Sequence, residues 1–112
     1  MAPDHDHDLE IDLGGFAAAY EQGATVLDVR NPDEYVTGHV PGAVLIPLGE
    51  LTDRQDEIPV AEPLYVICAA GGRSLTAAHA LVEAGYAAVS VAGGTNGWIE
   101  RGGRVVPGPE AR

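Results

Sequence analysis

Lysine is absent from this chain of 112 residues, and its six basic side chains, all arginine, stand against 17 acidic ones for a formal net charge of −11. Non-specific affinity for nucleic acid is supplied by clustered Lys and Arg, so no nucleic-acid partner is expected. Cysteine occurs once, at Cys68, which forbids an internal disulfide and leaves a free thiol. No stretch approaches the length of a transmembrane helix, so no membrane partner is expected either. Neither a basic leader nor an apolar run follows Met1, and together with the free thiol this gives the expectation of a cytoplasmic location.

What is present is enough for one folded domain. Hydrophobic residues make up 46% and charged ones 21%, and a chain this size buries roughly 65% of its unfolded surface, which argues against disorder. The alternating His5, Asp6, His7 and Asp8 suggest metal binding at first sight, but side chains at a chain end lack the supporting shell that fixes a ligand. Residues 1–8 are therefore expected to be a flexible, solvated acidic tail, and no metal site is expected. The Ala-rich, Lys-free composition suits a GC-rich bacterial source.

Short apolar runs alternate with helical patterns from Leu9 onward, the signature of an α/β fold with a parallel sheet. Strands are expected at Leu9 to Asp12, Thr25 to Val29, Ala43 to Ile46, Leu64 to Ile67 and Ala88 to Val91. Helical spacing of Phe16, Ala19 and Tyr20 predicts a first helix ended by Gly23. Asn31-Pro-Asp-Glu34 carries a helix start, with Pro32 at the first helical position and Glu34 able to reach back. Leu48 to Gln55 has a weaker helical pattern. Leu75, Ala78 and Val82 share one face of a further helix, and after Gly93-Gly94 both Trp98 and Ile99 are expected to anchor a terminal one.

The chemistry concentrates in Cys68-Ala-Ala-Gly-Gly-Arg-Ser74, between the most apolar strand and an amphipathic helix. The carboxyl end of a parallel strand is where sites form. Gly71 and Gly72 permit the backbone of Ala69 to Arg73 to curl with its amides inward, and the helix start adds free N–H groups. Such a cup favours an anion and lowers a thiol's pKa. An ordinary cysteine at pKa ~8.5 is about 3% thiolate at pH 7, and a drop of two units makes it mostly thiolate. A cysteine ending an apolar strand is also a common buried filler; the glycines, Arg73 and Ser74 that follow tilt the reading toward a reactive thiol.

Five segments in order then resemble the single-domain rhodanese family: Val26-Leu-Asp-Val-Arg30, Glu34-Tyr35, Gly38-His-Val-Pro-Gly-Ala43, the Cys68 loop, and Gly93-Gly94 with Trp98. The resemblance spans nearly the whole chain and implies a five-stranded parallel sheet flanked by helices, with a rhodanese domain over residues 9–106 and a C-terminal tail over 107–112. It implies a sulfurtransferase in which Cys68 takes a sulfur from thiosulfate or another persulfide donor and passes it to cyanide or a thiol. No cofactor is implied beyond the covalent Cys68 persulfide. Cys68 and Arg73 are the expected catalytic residues, Arg73 binding the donor's oxyanion, with Ala69, Ala70, Gly71, Gly72 and Ser74 as the persulfide-binding loop. Asp28 and Arg30 are candidates for a supporting role, though pairing that merely fixes their own loop fits as well. His39, before a Pro-Gly turn, is expected to be a hydrogen-bonded turn residue, and His79 structural or on the surface.

Loop length separates this reading from a thiol phosphatase. Phosphatases of this kind place five residues between Cys and Arg, and here only Ala69 to Gly72 intervene. A binding module and a relay that uses a protein as sulfur donor or acceptor are the competing functions. A lone domain is expected to leave the pocket shallow and open. Acidity is uneven along the chain: residues 1–62 hold 14 acidic residues and two arginines, residues 63–112 three and four.

Overall fold

A computed structural model describes residues 9–112; the expected acidic tail, with His5 and His7, lies outside the described residues. Five parallel strands form one sheet: β1 (Glu10–Ile11), β2 (Thr25–Asp28), β3 (Val44–Leu45), β4 (Leu64–Ile67) and β5 (Ala88–Val91), in the order β1-β5-β4-β2-β3. Among the described residues four α-helices accompany them, the last after β5: α1 (Leu13–Glu21), α2 (Pro32–Thr37), α3 (Gly72–Glu83) and α4 (Gly94–Glu100). The α/β architecture and the strand count match what the sequence implies.

Alternation along the strands sorts the core into two layers. Leu64, Val66 and Cys68 face one side with Leu27 and Val29 of the β2 segment, and α3 covers them with Ala77, Ala78 and Leu81. Tyr65 and Ile67 face the other side, against Phe16 of α1, Tyr35 of α2 and Trp98 of α4. All four β4 residues are buried, as a central parallel strand covered on both faces requires.

The strand order reverses between β2 and β4. From β2 the chain steps outward to β3, then returns to the other side of β2 as β4 and continues outward to β5, which lies beside the first strand, β1, at the sheet edge. Crossovers on opposite faces leave a crevice beyond the carboxyl ends of these two strands. Asp28 pairs in register with Ile67, so Asp28 and Cys68 both end at that crevice.

Three expectations need correction. Leu48 to Gln55 is not an α-helix but two 3₁₀ turns, Leu48–Glu50 and Gln55–Glu57. Leu48 and Leu51 both reach the α3-side core, and the three-residue period that superposes them is the 3₁₀ one. Ile99 does not anchor the last helix: it is 49% exposed, whereas Trp98 is 6% exposed and packs edge-on to Phe16 at 5.3 Å. Neighbours on a helix point about 100° apart, so only one of the two can face the sheet. The expected third strand shrinks to Val44–Leu45.

The C-terminal segment is fastened to the loop after α2. His39 and Val106 exchange backbone hydrogen bonds of 3.0 and 2.9 Å, Gly108 N donates to Val36 O at 2.9 Å, and Gly42 N donates to Ala111 O at 2.7 Å. His39 is fully buried, stacked on the Tyr35 ring at 3.6 Å, with Nδ1 2.9 Å from Tyr35 O and Nε2 3.2 Å from Ala111 O. It is the hydrogen-bonded turn residue that its place before Pro41-Gly42 suggests.

Candidate active site

Strand β4 delivers Cys68 to the crevice floor, 1% exposed, and the chain curls around the sulfur before entering α3. Gly71 carries the sharp turn at φ +114°, a conformation L side chains rarely adopt, and caps α3; Gly72 is already helical. The turn aims Gly71 N at Cys68 Sγ, 3.1 Å away. Of the remaining loop residues, Ala69 is half-buried, Ala70 and Gly72 are exposed, and Ser74 is fully buried inside the first turn of α3.

Ser74 Oγ lies 3.4 Å from Cys68 Sγ. It also lies 3.2 Å from Gly71 O and 2.8 Å from the hydroxyl of Ser90 on β5. Burial by itself pushes the Cys68 thiol up, but hydrogen bonds from the Ser74 side chain and from the amides of Ser74, Gly71 and Ala70 outweigh it, and the thiol ends below its ordinary pKa. The cup of N–H donors expected from the glycines is present, with a hydroxyl added to it.

Helix α4 braces the loop from beneath. Thr95 N donates to Cys68 O at 2.8 Å and Asn96 N to Ala69 O at 3.0 Å. Gly94, at φ +58°, sits so close that an added Cβ would lie 2.5 Å from Ala69 O. Among the described residues Thr95 Oγ1, which is buried, has no hydrogen-bond partner. Cys68 is 1% exposed, so the sulfur lies beneath the loop that wraps it.

Arg73 is engaged by a carboxylate of this chain. Its two terminal nitrogens lie 2.7 and 2.8 Å from the two carboxylate oxygens of Glu34, a bidentate pair joining α3 to α2. The Arg73 hydrogen bond holds the Glu34 carboxyl down at about 2, against the upward push of burial and with help from the Asn31 N–H. Glu34 therefore serves twice, as the reach-back partner of Asn31 N at 3.0 Å and as the anchor of Arg73. Nothing in the local sequence signals this contact across 39 positions.

Asp28 and Arg30 form a buried pair. The Arg30 guanidinium meets both Asp28 oxygens at 2.8 to 3.1 Å and donates to Gly38 O at 3.0 Å. This pairing fixes the β2–α2 corner, in line with the simpler reading of these two residues. His79 is half-buried on α3. Among residues not singled out from sequence, Ser90 had one signal, a hydroxyl inside the apolar run Ala88-Val-Ser-Val91.

Comparison with known proteins agrees with this geometry. Residues 14–101 match the family model of the rhodanese-like domain. Thiosulfate sulfurtransferase GlpE of Pseudomonas syringae pv. syringae is 38% identical over 82 residues, 72% of this chain and 77% of that protein. YrkF of Bacillus subtilis, a candidate sulfur carrier, is 37% identical over 92 residues, 80% of this chain; the match spans half the length of YrkF. The crystal structure of a rhodanese-related protein from Thermoplasma volcanium superposes with a TM-score of 0.78 at 35% identity, covering 87% of this chain and 96% of the other. With its fold, its cysteine loop and its relatives in agreement, the chain belongs to the rhodanese-like family, alongside sulfurtransferases.

Proposed function

We propose that the protein is a sulfurtransferase that carries a sulfane sulfur on Cys68, with thiosulfate or another persulfide as donor and cyanide or a thiol, free or protein-borne, as acceptor. The observation that carries this reading is the sulfur at the floor of an amide-lined loop, 3.1 Å from Gly71 N and below its ordinary pKa. Cys68 thiolate attacks the outer sulfur of thiosulfate. A new S–S bond forms, the S–S bond of thiosulfate breaks, and sulfite leaves with its electron pair. An acceptor then attacks the outer sulfur of the persulfide, cyanide leaving as thiocyanate and a thiol as a new persulfide, and Cys68 returns as thiolate.

Fixed donors stabilise the anionic form of the nucleophile, so neither step invokes a separate general base. The terminal sulfur of the persulfide takes over those donors from Cys68 Sγ. A cysteine 1% exposed is reached by a slender sulfur atom entering through the loop. A loop of four residues between Cys68 and Arg73, with Arg73 already engaged by Glu34, supplies less to a tetrahedral phosphate.

Intact-protein mass spectrometry after thiosulfate treatment tests the reading. Gain of one sulfur atom, lost on adding cyanide and absent from Cys68→Ser, is the expected result. No adduct with thiosulfate or with glutathione persulfide would overturn it. Turnover of an aryl phosphate that disappears in Cys68→Ser would replace it with a phosphatase.

A further inference from the structure

Three buried atoms form a chain behind the loop: Ser90 Oγ, Ser74 Oγ 2.8 Å away, and Cys68 Sγ a further 3.4 Å on. Ser74 and Ser90 are fully buried and Cys68 is 1% exposed, so water does not take part as it would at the surface. A serine hydroxyl has one proton to give and two lone pairs to receive with. The direction of the chain is therefore a question of where each proton goes.

Ser74 has three neighbours competing for one proton: the sulfur, Gly71 O at 3.2 Å and Ser90 Oγ. Among the described residues Ser90 Oγ has one hydrogen-bond partner, Ser74 Oγ. Were Ser74 to donate to Ser90, the Ser90 proton would be buried without an acceptor and the sulfur would lose its hydroxyl donor, two costs for one bond. With Ser90 donating, its proton is satisfied, a lone pair of Ser74 is filled, and the Ser74 proton is free for the strongest acceptor in reach. When Cys68 is ionised, that acceptor is the sulfur. Donation into Ser74 also polarises its O–H bond and makes it a better donor.

We propose that Ser90 is a positioning residue for the Cys68 thiolate, its buried hydroxyl donating to Ser74 Oγ and thereby directing the Ser74 proton onto the sulfur. It reaches the reacting atom only through Ser74. This deepens the sulfurtransferase reading, since it names a device that favours the ionised form of Cys68, but it rests on the thiolate and not on the identity of donor or acceptor. Among the described residues, the charged groups on the elements beside the loop are Arg73 on α3, Glu34 on α2, and Asp28 and Arg30 at and after the end of β2, paired as Arg73–Glu34 and Arg30–Asp28. From α4 the uncharged Gly94, Thr95 and Asn96 meet the loop. Arg73, though paired with Glu34, also acts on the Cys68 charge, and the hydroxyl chain works beside it.

The test reads the thiol directly, by the pH dependence of its iodoacetamide alkylation rate and of thiolate absorbance in the ultraviolet. Ser90→Ala is expected to raise the Cys68 pKa by about 0.5 unit or more, which leaves roughly threefold less thiolate at pH values below it. Ser90→Thr, which keeps a hydroxyl at that place, is expected to stay within about 0.3 unit of the parent. In a Ser74→Ala background, Ser90→Ala is expected to change nothing further, because the link is already cut. An unaltered pKa in Ser90→Ala, or a shift that persists in the Ser74→Ala background as general loosening of β5 would give, overturns the proposal. Alkylation needs no sulfur donor, so failure of sulfur transfer and failure of the Ser90 assignment give different results.

Discussion

Glu34 shows how much one side chain can couple at this site. Its carboxylate ties α2 to α3 through Arg73, and because that hydrogen bond holds its pKa at about 2, below the unfolded value, the pair stabilises the fold above pH ~4.3. That contribution falls away as pH drops from ~5 toward 2, where the carboxylate protonates. The two side chains are 29% and 36% exposed, so screening limits the pair to about 1 kcal/mol. Glu34→Gln is expected to lose that amount in urea unfolding at pH 7 and nearly nothing at pH 2; an equal loss at both would mean that the charge is not what matters. The sequence contained half of this arrangement. Asn31-Pro-Asp-Glu34 marked a helix start by local rules, and the Asn31 N–H to Glu34 bond is there. The second role of Glu34 needed the sheet to bring residue 34 to residue 73, and no local rule encodes that. The hydroxyl of Ser90 stood out in an apolar run, but its role was unreadable for the same reason: it lies in a contact with Ser74 across β5 and α3.

At the scale of elements, the loop is a splice between β4, α3 and α4, and two of its glycines report on different parts of it. A Cβ at Gly94 would meet Ala69 O at 2.5 Å and Cys68 O at 2.6 Å, backbone atoms that cannot swing aside, at a φ of +58°. A Cβ at Gly72 meets nothing within 4 Å and stands at the first position of a helix. Gly94→Ala is expected to cost about 2–3 kcal/mol by forcing α4 off the loop. It should also reduce the sulfur-transfer rate of the molecules that remain folded, because Cys68 O and Ala69 O lose the amides of Thr95 and Asn96. Gly72→Ala is expected to be neutral or stabilising by about 0.5–1 kcal/mol, through helix propensity. Thermal unfolding beside activity per folded molecule separates the two; equal effects at both positions would refute the bracing role of α4. Strands and helices were legible here because apolar period and glycine punctuation are local, and Gly93-Gly94 was visible as a turn. That α4 supports the cysteine loop was not, since the carbonyls its amides hold lie 27 residues earlier in the chain.

Over the whole molecule, the uneven acidity of the sequence takes on a different shape in space. Residues 63–112 carry four arginines against three acidic residues, which on paper makes the half with Cys68 nearly neutral. The sheet order β1-β5-β4-β2-β3 inserts β4 and β5 between β1 and β2, so the acidic first half flanks the cysteine strand on both sides. Arg73 and Arg30, the cations beside the crevice, are each committed to a carboxylate. A dianionic donor approaching from solvent therefore meets the field of a chain with net charge −11 before it meets the amides of the loop. That field is screened over a Debye length of about 10 Å at 0.1 M salt and reaches about three times farther at 0.01 M, whereas the amide donors act at contact. The kcat/KM for thiosulfate is accordingly expected to rise severalfold between about 10 and 150 mM salt, while that for an uncharged sulfane-sulfur donor stays nearly flat. A fall in the thiosulfate value with salt would instead reveal attraction at long range, and would place an unpaired positive field at the mouth of the loop.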